Sequence, residues 1–201
     1  MKSLDELLRD CATHHRRLCP RQVLGARMGI LAASLLTLDL PQSDKRLLAF
    51  VETDGCFADG VSAATGCYVG RRTLRVEDFG KTAVTFYDTR TERAVRIAPR
   101  PDVRALAREY APDARNRWEA QLLGYQLMPD EDLLDFKWVT MKINVTALIG
   151  RAGLRVNCDA CGEEIINQRE VLWESKILCR ACAGQAYYLE SENTATFKLC
   201  E

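Results

Sequence analysis

The spacing of apolar residues divides the first 150 residues into a series of short helices and strands. A capping box formed by Ser3 and Glu6 predicts a short amphipathic helix at the N-terminus. A longer helix is predicted from about Arg21 to Thr37, because Pro20 suits the first position of a helix. Small residues recur at every fourth position of this helix and form a ridge against which another backbone can pack closely: Gly25, Gly29 and Ala33.

A second set of segments has the pattern of strands. The apolar run from Leu47 to Thr53 predicts a buried strand that breaks at Gly55, and a short helix is predicted over Phe57–Thr65. Residues 82–87 and 93–98 predict a hairpin, and residues 137–145 predict a further strand. The remaining predicted elements are a strand at 74–76 and helices at 102–110 and 113–127.

The C-terminal part of the chain carries the strongest local motif. Cys158 and Cys161 form one CxxC pair, Cys179 and Cys182 form a second, and seventeen residues separate the two pairs. Each CxxC turn aims two thiolates at one point, and two such turns complete a tetrahedral sulfur shell with no open position. The spacing therefore predicts a structural Zn²⁺ ion, which contributes on the order of 10 kcal/mol to a module too small to fold alone.

Three further cysteines and a histidine lie at the predicted ends of N-terminal elements. Cys19 directly precedes the long helix, Cys56 opens the short helix, and Cys67 follows the glycine that ends it. The helix dipole and the unpaired N–H groups at a helix N-terminus favour thiolate over thiol. Together with His15, these cysteines form a candidate second site for a soft or borderline metal, or a reactive-thiol pocket. The alternative is that they only hold tight turns together.

Two charged residues complete this candidate site. Asp59 lies one turn into the short helix and can face Cys56, and Lys81 follows a turn glycine. A cation lowers the pKa of a nearby cysteine, and a carboxylate orients a ligand. A thiol- or metal-dependent enzyme that uses Cys56 or Cys19 with Lys81 and Asp59 is therefore the alternative to a non-catalytic metal protein. No P-loop, dinucleotide or serine-hydrolase fingerprint occurs in the sequence.

Charge and hydropathy argue against several classes of partner. Basic and acidic residues number 28 each, so no net field recruits nucleic acid or an anionic membrane. Residues 151–201 carry six basic and eight acidic side chains, a net charge of about −2 that disfavours phosphate contacts. A zinc module that binds nucleic acid or a regulator protein therefore stays the weaker alternative. No apolar run reaches the roughly 18 residues of a membrane span, and the N-terminus lacks a secretory signal, so we expect a cytoplasmic protein with reduced thiols.

The order of these motifs resembles the FmdE family, which is associated with formylmethanofuran dehydrogenase, over nearly the whole chain. That family's N-terminal motif reads His-x-His-x-Cys-Pro-Gly, and His15 and Cys19 match its first histidine and its cysteine. Arg17 and Arg21 replace its second histidine and its glycine. The other matching positions are Glu52-Thr53-Asp54, Cys56, Asp59, Gly66-Cys67, Gly70, Leu74, Asp78, Gly80-Lys81, Phe86 and the ribbon ending Leu178–Gly184.

This resemblance implies an α+β fold. A mixed helix and sheet domain is expected over residues 1–150, followed by a small treble-clef or ribbon zinc module over residues 151–201. The resemblance further implies a homodimer with an accessory role in metal or molybdenum/tungsten cofactor handling, whose partner is a molybdenum or tungsten enzyme or a protein of the cofactor pathway. It does not imply the dehydrogenase reaction, because that chemistry belongs to the molybdenum- or tungsten-containing proteins of the complex.

Overall fold

A computed structural model of the chain describes residues 2–14, 17–150 and 153–189. The chain divides into two compact units, Met1–Ile143 and Asn144–Glu201. The boundary predicted from the sequence lies after residue 150, whereas the structure divides the chain after residue 143.

The first unit mixes helices and strands, as predicted. Its helices are α1 (Leu4–His14), α2 (Pro20–Leu36), α3 (Cys56–Thr65), α4 (Val103–Tyr110), α5 (Arg117–Leu127) and α6 (Asp130–Leu133). Its strands are β1 (Leu47–Val51), β2 (Leu74–Val76), β3 (Val84–Asp88), β4 (Ala94–Pro99) and β5 (Leu134–Val139). The capping box predicted for the first helix is present, since Ser3 N donates to the Glu6 carboxylate and Glu6 N donates to Ser3 Oγ.

The five strands form one sheet in the order β2-β1-β3-β4-β5. Strands β1 and β2 are parallel, and the other neighbouring pairs are antiparallel. One face of the central strands packs into the main hydrophobic core, where Val84, Phe86, Val95 and Ile97 are fully buried. This face lies against α2, which also contacts α1, α3 and α5. A helix with neighbours on several sides has to be apolar around most of its circumference, and eleven of the seventeen residues of α2 are buried.

The small-residue ridge of α2 packs against α3, as the sequence predicted. A Cβ at Gly25 would lie 2.7 Å from Val61 N, and a Cβ at Gly29 would lie 2.5 Å from Ala64 Cβ. A Cβ at Gly60 of α3 would overlap the carbonyl oxygen of Gln22. The contacting residue numbers rise together along both helices, so α2 and α3 run parallel. Their N-termini therefore lie at the same end of the pair.

The predicted strand over residues 137–145 is wrong in its position. Strand β5 covers Leu134–Val139, and a second-unit helix, α7, begins at Val145. The strand directly follows α6, because the backbone becomes extended at Leu134, where Leu134 pairs with Pro99 of β4. Pairing with an existing strand decided this register, and alternation in the sequence alone could not reveal it.

The second unit contains short elements around the four CxxC cysteines. After α7 (Val145–Gly150), strands β6 (Arg155–Asn157) and β7 (Glu164–Ile166) form one hairpin, and β8 (Val171–Trp173) and β9 (Lys176–Leu178) form another. A short π-helical turn covers Ala181–Gln185. The buried centre is small and consists of Cys158, Ile165 and Leu178. So small a core needs an additional cross-link to be stable.

Candidate functional site

The two hairpins bring the four predicted zinc ligands together. One sulfur from each of Cys158, Cys161, Cys179 and Cys182 lies within 4.8 Å of the other three. Four sulfurs bound tetrahedrally at about 2.3 Å from one ion would be about 3.8 Å apart, so a small inward movement closes the shell. This group can therefore hold a metal ion, and its all-sulfur donor set fits zinc.

Backbone N–H groups prepare these thiols for metal binding. Cys179 N lies 3.3 Å from Cys158 Sγ, and Cys182 N lies 3.4 Å from Cys179 Sγ. Hydrogen bonds from the N–H groups of Cys161 and Cys179 lower the pKa of Cys158 to about 6. Hydrogen bonds with the other sulfurs raise the pKa of Cys182 to about 12. The four thiols thus share a small number of protons, which a bound cation would displace. Gly162 has a φ of +76°, which allows the first knuckle to turn back on Cys158.

The parallel packing of α2 and α3 brings a second pair of thiols together. Cys19 is the N-cap of α2, and Cys56 is the first residue of α3. Both cysteines are partly exposed and both sit at helix N-termini, as predicted. The two side chains are hydrogen-bonding neighbours. We call Cys19 and Cys56 the thiol pair.

The electrostatics of the thiol pair differ from the prediction. The pKa of Cys56 is raised, first by burial, then by the charge and hydrogen bond of Cys19 and by the charge of Asp59. The prediction that a nearby cation lowers this pKa is therefore wrong for Cys56. Two neighbouring thiols cannot both lose a proton easily, since the second negative charge would be repelled by the first. A bound cation would remove this repulsion.

The carboxylate of Asp59 faces the thiol pair and also a third thiol. Its charge raises the pKa of Cys56 and contributes to raising the pKa of Cys11, which burial raises most, to about 11. Cys11 lies in α1 and is 1 % exposed. The placement of Asp59 beside Cys56 agrees with the sequence prediction.

A buried amide lies directly behind Cys19. Gln22 is 0 % exposed, and its Oε1 accepts a hydrogen bond from Cys19 N at 2.8 Å. Among the described residues, Gln22 Nε2 has no hydrogen-bond partner. An unpaired buried donor is costly, and this one lies next to the thiol pair, where an acceptor would satisfy it. The sequence analysis missed Gln22, although its position three residues after the N-cap is the signature of a capping box.

The structure does not bring Cys67 into this group. Cys67 follows α3 at its C-terminal end, whereas Cys56 begins the helix, and a ten-residue helix is about 15 Å long. Its Sγ lies 3.4 Å from the carbonyl oxygen of Leu47, and burial raises its pKa to about 11. Its surroundings are those of an inert, packed thiol. The helix that separates Cys56 from Cys67 in sequence also separates them in space.

The other candidate residues are placed less directly. Lys81 has an exposed side chain, and its backbone N–H donates to the carbonyl oxygen of Glu52, at the start of the loop before α3. No interaction between its ammonium group and the thiol pair occurs in the part of the chain that the structure describes. His15 lies outside the described residues, so its place in the site stays a prediction.

A family model described as "FmdE, Molybdenum formylmethanofuran dehydrogenase operon" matches residues 14–135. This match spans more than half of the chain and includes Cys19, Cys56, Asp59, Cys67 and Lys81. The chain belongs to the FmdE family. The sequence resemblance is thereby confirmed, and the CxxC cluster adds the expected C-terminal zinc-ribbon module to the family domain.

Two known proteins are similar to this FmdE-family chain over most of its length. A "Probable S-adenosyl-L-methionine-binding protein" of Archaeoglobus fulgidus is 27% identical over 96% of this chain. The chain spans 57% of that relative's length. The crystal structure of an FmdE-like protein of tungsten formylmethanofuran dehydrogenase, from Syntrophus aciditrophicus, matches with a TM-score of 0.62 and 24% identity. That match covers 94% of this chain and 96% of the other and shows the α+β fold. In the described part of the chain, no helix is long and apolar enough to cross a membrane.

Proposed function

We propose that this FmdE-family protein is a metal-binding accessory protein with two metal sites of different kinds. The four-cysteine group of the ribbon holds a structural zinc ion, and the thiol pair of Cys19 and Cys56 is a functional site for a soft metal or a reactive-thiol pocket. Its cellular task is metal or molybdenum/tungsten cofactor handling, as a cytoplasmic homodimer. The observation that carries the proposal is the meeting of two partly exposed thiols at the shared end of two parallel helices.

The two sites differ in how many protein ligands they offer. Four sulfurs leave zinc no open position, so the CxxC site supports the fold and performs no chemistry. The thiol pair supplies two sulfurs, and further positions on a metal stay open for a histidine or an exchangeable ligand. His15 lies four residues before Cys19 and matches the first histidine of the family motif. An open, thiol-rich site suits transfer of a metal better than its permanent storage.

The two alternatives have less support. An enzyme using Cys56 or Cys19 as a nucleophile needs a lowered thiol pKa, whereas the pKa of Cys56 is raised. Lys81, the electrophilic group of that alternative, makes no described contact with either thiol. A ribbon that binds nucleic acid needs a basic surface, and residues 151–201 are acidic by about two charges. Retention on heparin at low salt would favour that alternative.

Metal stoichiometry tests the proposal directly. Protein purified without tags or chelators is measured by mass spectrometry, alongside Cys56→Ser, Cys158→Ser and, as a matched control, Cys67→Ser. We expect two metals per chain, one lost with Cys56→Ser, the other with Cys158→Ser, and none with Cys67→Ser. One metal per chain that is lost only with Cys158→Ser would contradict a metal at the thiol pair. Disulfide formation between Cys19 and Cys56 under mild oxidation would then support the reactive-thiol form of the site.

The name of the Archaeoglobus fulgidus relative adds a ligand to this test. That name describes a longer protein, of which this chain spans 57%. S-adenosylmethionine is therefore titrated into the metal-loaded protein by calorimetry, with S-adenosylhomocysteine as the uncharged control at sulfur. Saturable heat that disappears in Cys19→Ser would extend the proposal to this cofactor.

A further inference from the structure

A cleft of about 390 Å³ opens beside Cys19 on the side of α2 that faces α4 and α5. This volume lies in the range of small-molecule sites, roughly 300–1,000 Å³. Its wall combines the thiol with cationic, aromatic and amide side chains, chiefly Cys19, Arg21, Arg104, Trp118, Gln121 and Tyr125. All of these residues belong to the first unit, so the cleft is formed within it.

The charge of the cleft has one sign. Arg21 and Arg104 line it, and none of its lining residues is acidic. In residues 2–14, 17–150 and 153–189, neither guanidinium forms an ion pair. Other arginines of this unit, such as Arg46 and Arg96, are held by carboxylates. The positive N-terminal end of α2 points towards the same region, because Cys19 and Pro20 line the cleft. The cleft therefore presents uncompensated positive charge.

The electrostatic environment of Tyr125 supports this view. The phenol of Tyr125 is 2 % exposed, and burial raises its pKa. The charges of Arg104 and Arg117 oppose that shift. Two arginines thus act on a buried group in the wall of the cleft, and the same field would act on a bound anion.

The cleft also offers flat apolar surface. Trp118 is 48 % exposed although it is a large aromatic residue, and its indole lies on the cleft wall near Tyr125. Arg115 and Glu119, its neighbours at the start of α5, pair with each other and leave the indole uncovered. An exposed indole beside unpaired guanidinium groups suits a ligand with a planar ring and a negative charge. Gln121 adds an amide that can read polar edges of such a ring.

We propose that this cleft binds a small planar organic anion, a carboxylate or a phosphate ester, with its ring against Trp118 and its charge towards Arg21 and Arg104. The ligand would lie next to Cys19 and so next to the thiol pair. This assignment goes beyond the proposed metal function, since the binding groups are not metal ligands. It holds whether or not the thiol pair carries a metal.

Calorimetric titration at low salt tests the cleft with three defined probes. Anthranilate carries a ring and a carboxylate, phenyl phosphate carries a ring and a phosphate, and anthranilamide is the neutral analogue of anthranilate. We expect saturable binding of at least one anion and about ten-fold or weaker binding of the amide, because a charge-assisted hydrogen bond contributes about a factor of ten or more. The two anions distinguish a carboxylate site from a phosphate site.

Substitutions locate the binding. Arg21→Gln and Arg104→Gln should each weaken anion binding about ten-fold, and Trp118→Leu should weaken all three probes. Arg90→Gln is the matched control, since Arg90 is exposed in the turn at the other end of the β3–β4 hairpin from Thr82 and Pro99 of the cleft. Cys19→Ser should retain anion binding, which separates this result from the metal test.

The proposal fails if neither anion binds at millimolar concentration, or if anthranilamide binds as tightly as anthranilate. It also fails if Arg90→Gln weakens binding as much as Arg21→Gln and Arg104→Gln do. Circular dichroism of each variant confirms that the fold persists, and the two arginines are exposed, so their substitution leaves the core unchanged.

Discussion

Gly60 of α3 lies directly on the carbonyl group of Gln22 in α2, so closely that no side chain fits between them. This contact holds the two helices side by side in parallel, with their first turns adjacent. The same Gln22 accepts a hydrogen bond from Cys19 N, and Gly60 lies one turn after Cys56. The closest backbone contact between the helices is therefore what places the two thiols together.

Substituting Gly60 tests this relationship. Gly60→Ala should lower the free energy of unfolding by about 1–3 kcal/mol, because the added methyl group overlaps backbone that cannot move freely. In an open helical position, the same change would stabilise the protein by up to about 1 kcal/mol. Urea denaturation of Gly60→Ala measures the effect, with Gly70→Ala as control, since a Cβ at Gly70 meets nothing within 4 Å. Equal stability of the two variants would refute the close packing.

Cys67 should be chemically silent in the native protein. Its pKa of about 11 and its 2 % exposure leave almost no accessible thiolate in mildly alkaline buffer, whereas Cys19 and Cys56 are partly exposed. We expect iodoacetamide to modify Cys67 far more slowly than either member of the thiol pair in metal-depleted protein. Peptide mass spectrometry over a time course measures the order of modification. Early labelling of Cys67 would show that it belongs to the accessible site after all.

The ion pair between Arg46 and Asp88 should make stability depend on pH in the acid range. Asp88 is fully buried, and the Arg46 guanidinium at 2.8 Å holds the pKa of its carboxyl well below the usual value, with further hydrogen bonds from Arg90 N and Thr91 Oγ1. Since the folded pKa is lower than the unfolded value of about 3.9, the carboxylate stabilises the fold above that pH. The contribution is lost as the pH falls through the folded pKa.

The measurement is the difference in unfolding free energy between wild type and Asp88→Asn from neutral pH down to about pH 2. We expect a difference of about 2–4 kcal/mol at neutral pH that shrinks below about pH 4. Glu92→Gln is the control, because Glu92 lies in the same turn with an exposed side chain. A difference that stays constant with pH would mean that the asparagine variant loses packing and not charge.

Removing the ribbon metal should unfold the second unit alone. Its buried centre is limited to three residues, so metal binding supplies most of its folding free energy, on the order of 10 kcal/mol. With a strong chelator, limited proteolysis should cut within residues 153–189 and leave the first unit intact. Cys182→Ser should show the same cleavage without chelator. Resistance of this region to protease after complete metal loss would contradict a structural role.

Local patterns were sufficient to predict most elements and the ribbon ligands. The capping box of Ser3 and Glu6, proline at the start of α2, and the two CxxC pairs each act through neighbours within a few residues, so the sequence contains the relevant physics. The small-residue ridge of α2 also predicted a close helix contact correctly. The register of β5 was not predictable in this way, because pairing with β4 decides where that strand begins.

The sequence by itself determined the α+β class, the ribbon ligands and the placement of Cys19 and Cys56 at helix N-termini. Only the tertiary structure decided which candidates meet. Parallel packing of α2 and α3 joins Cys19 to Cys56 and places Gln22 behind them, whereas the length of α3 carries Cys67 away. The cationic cleft likewise needs α2, α4 and α5 side by side, with residues from distant parts of the sequence on its walls. Local motifs depend on neighbours along the chain, but such sites depend on how rigid elements pack, which no single segment encodes.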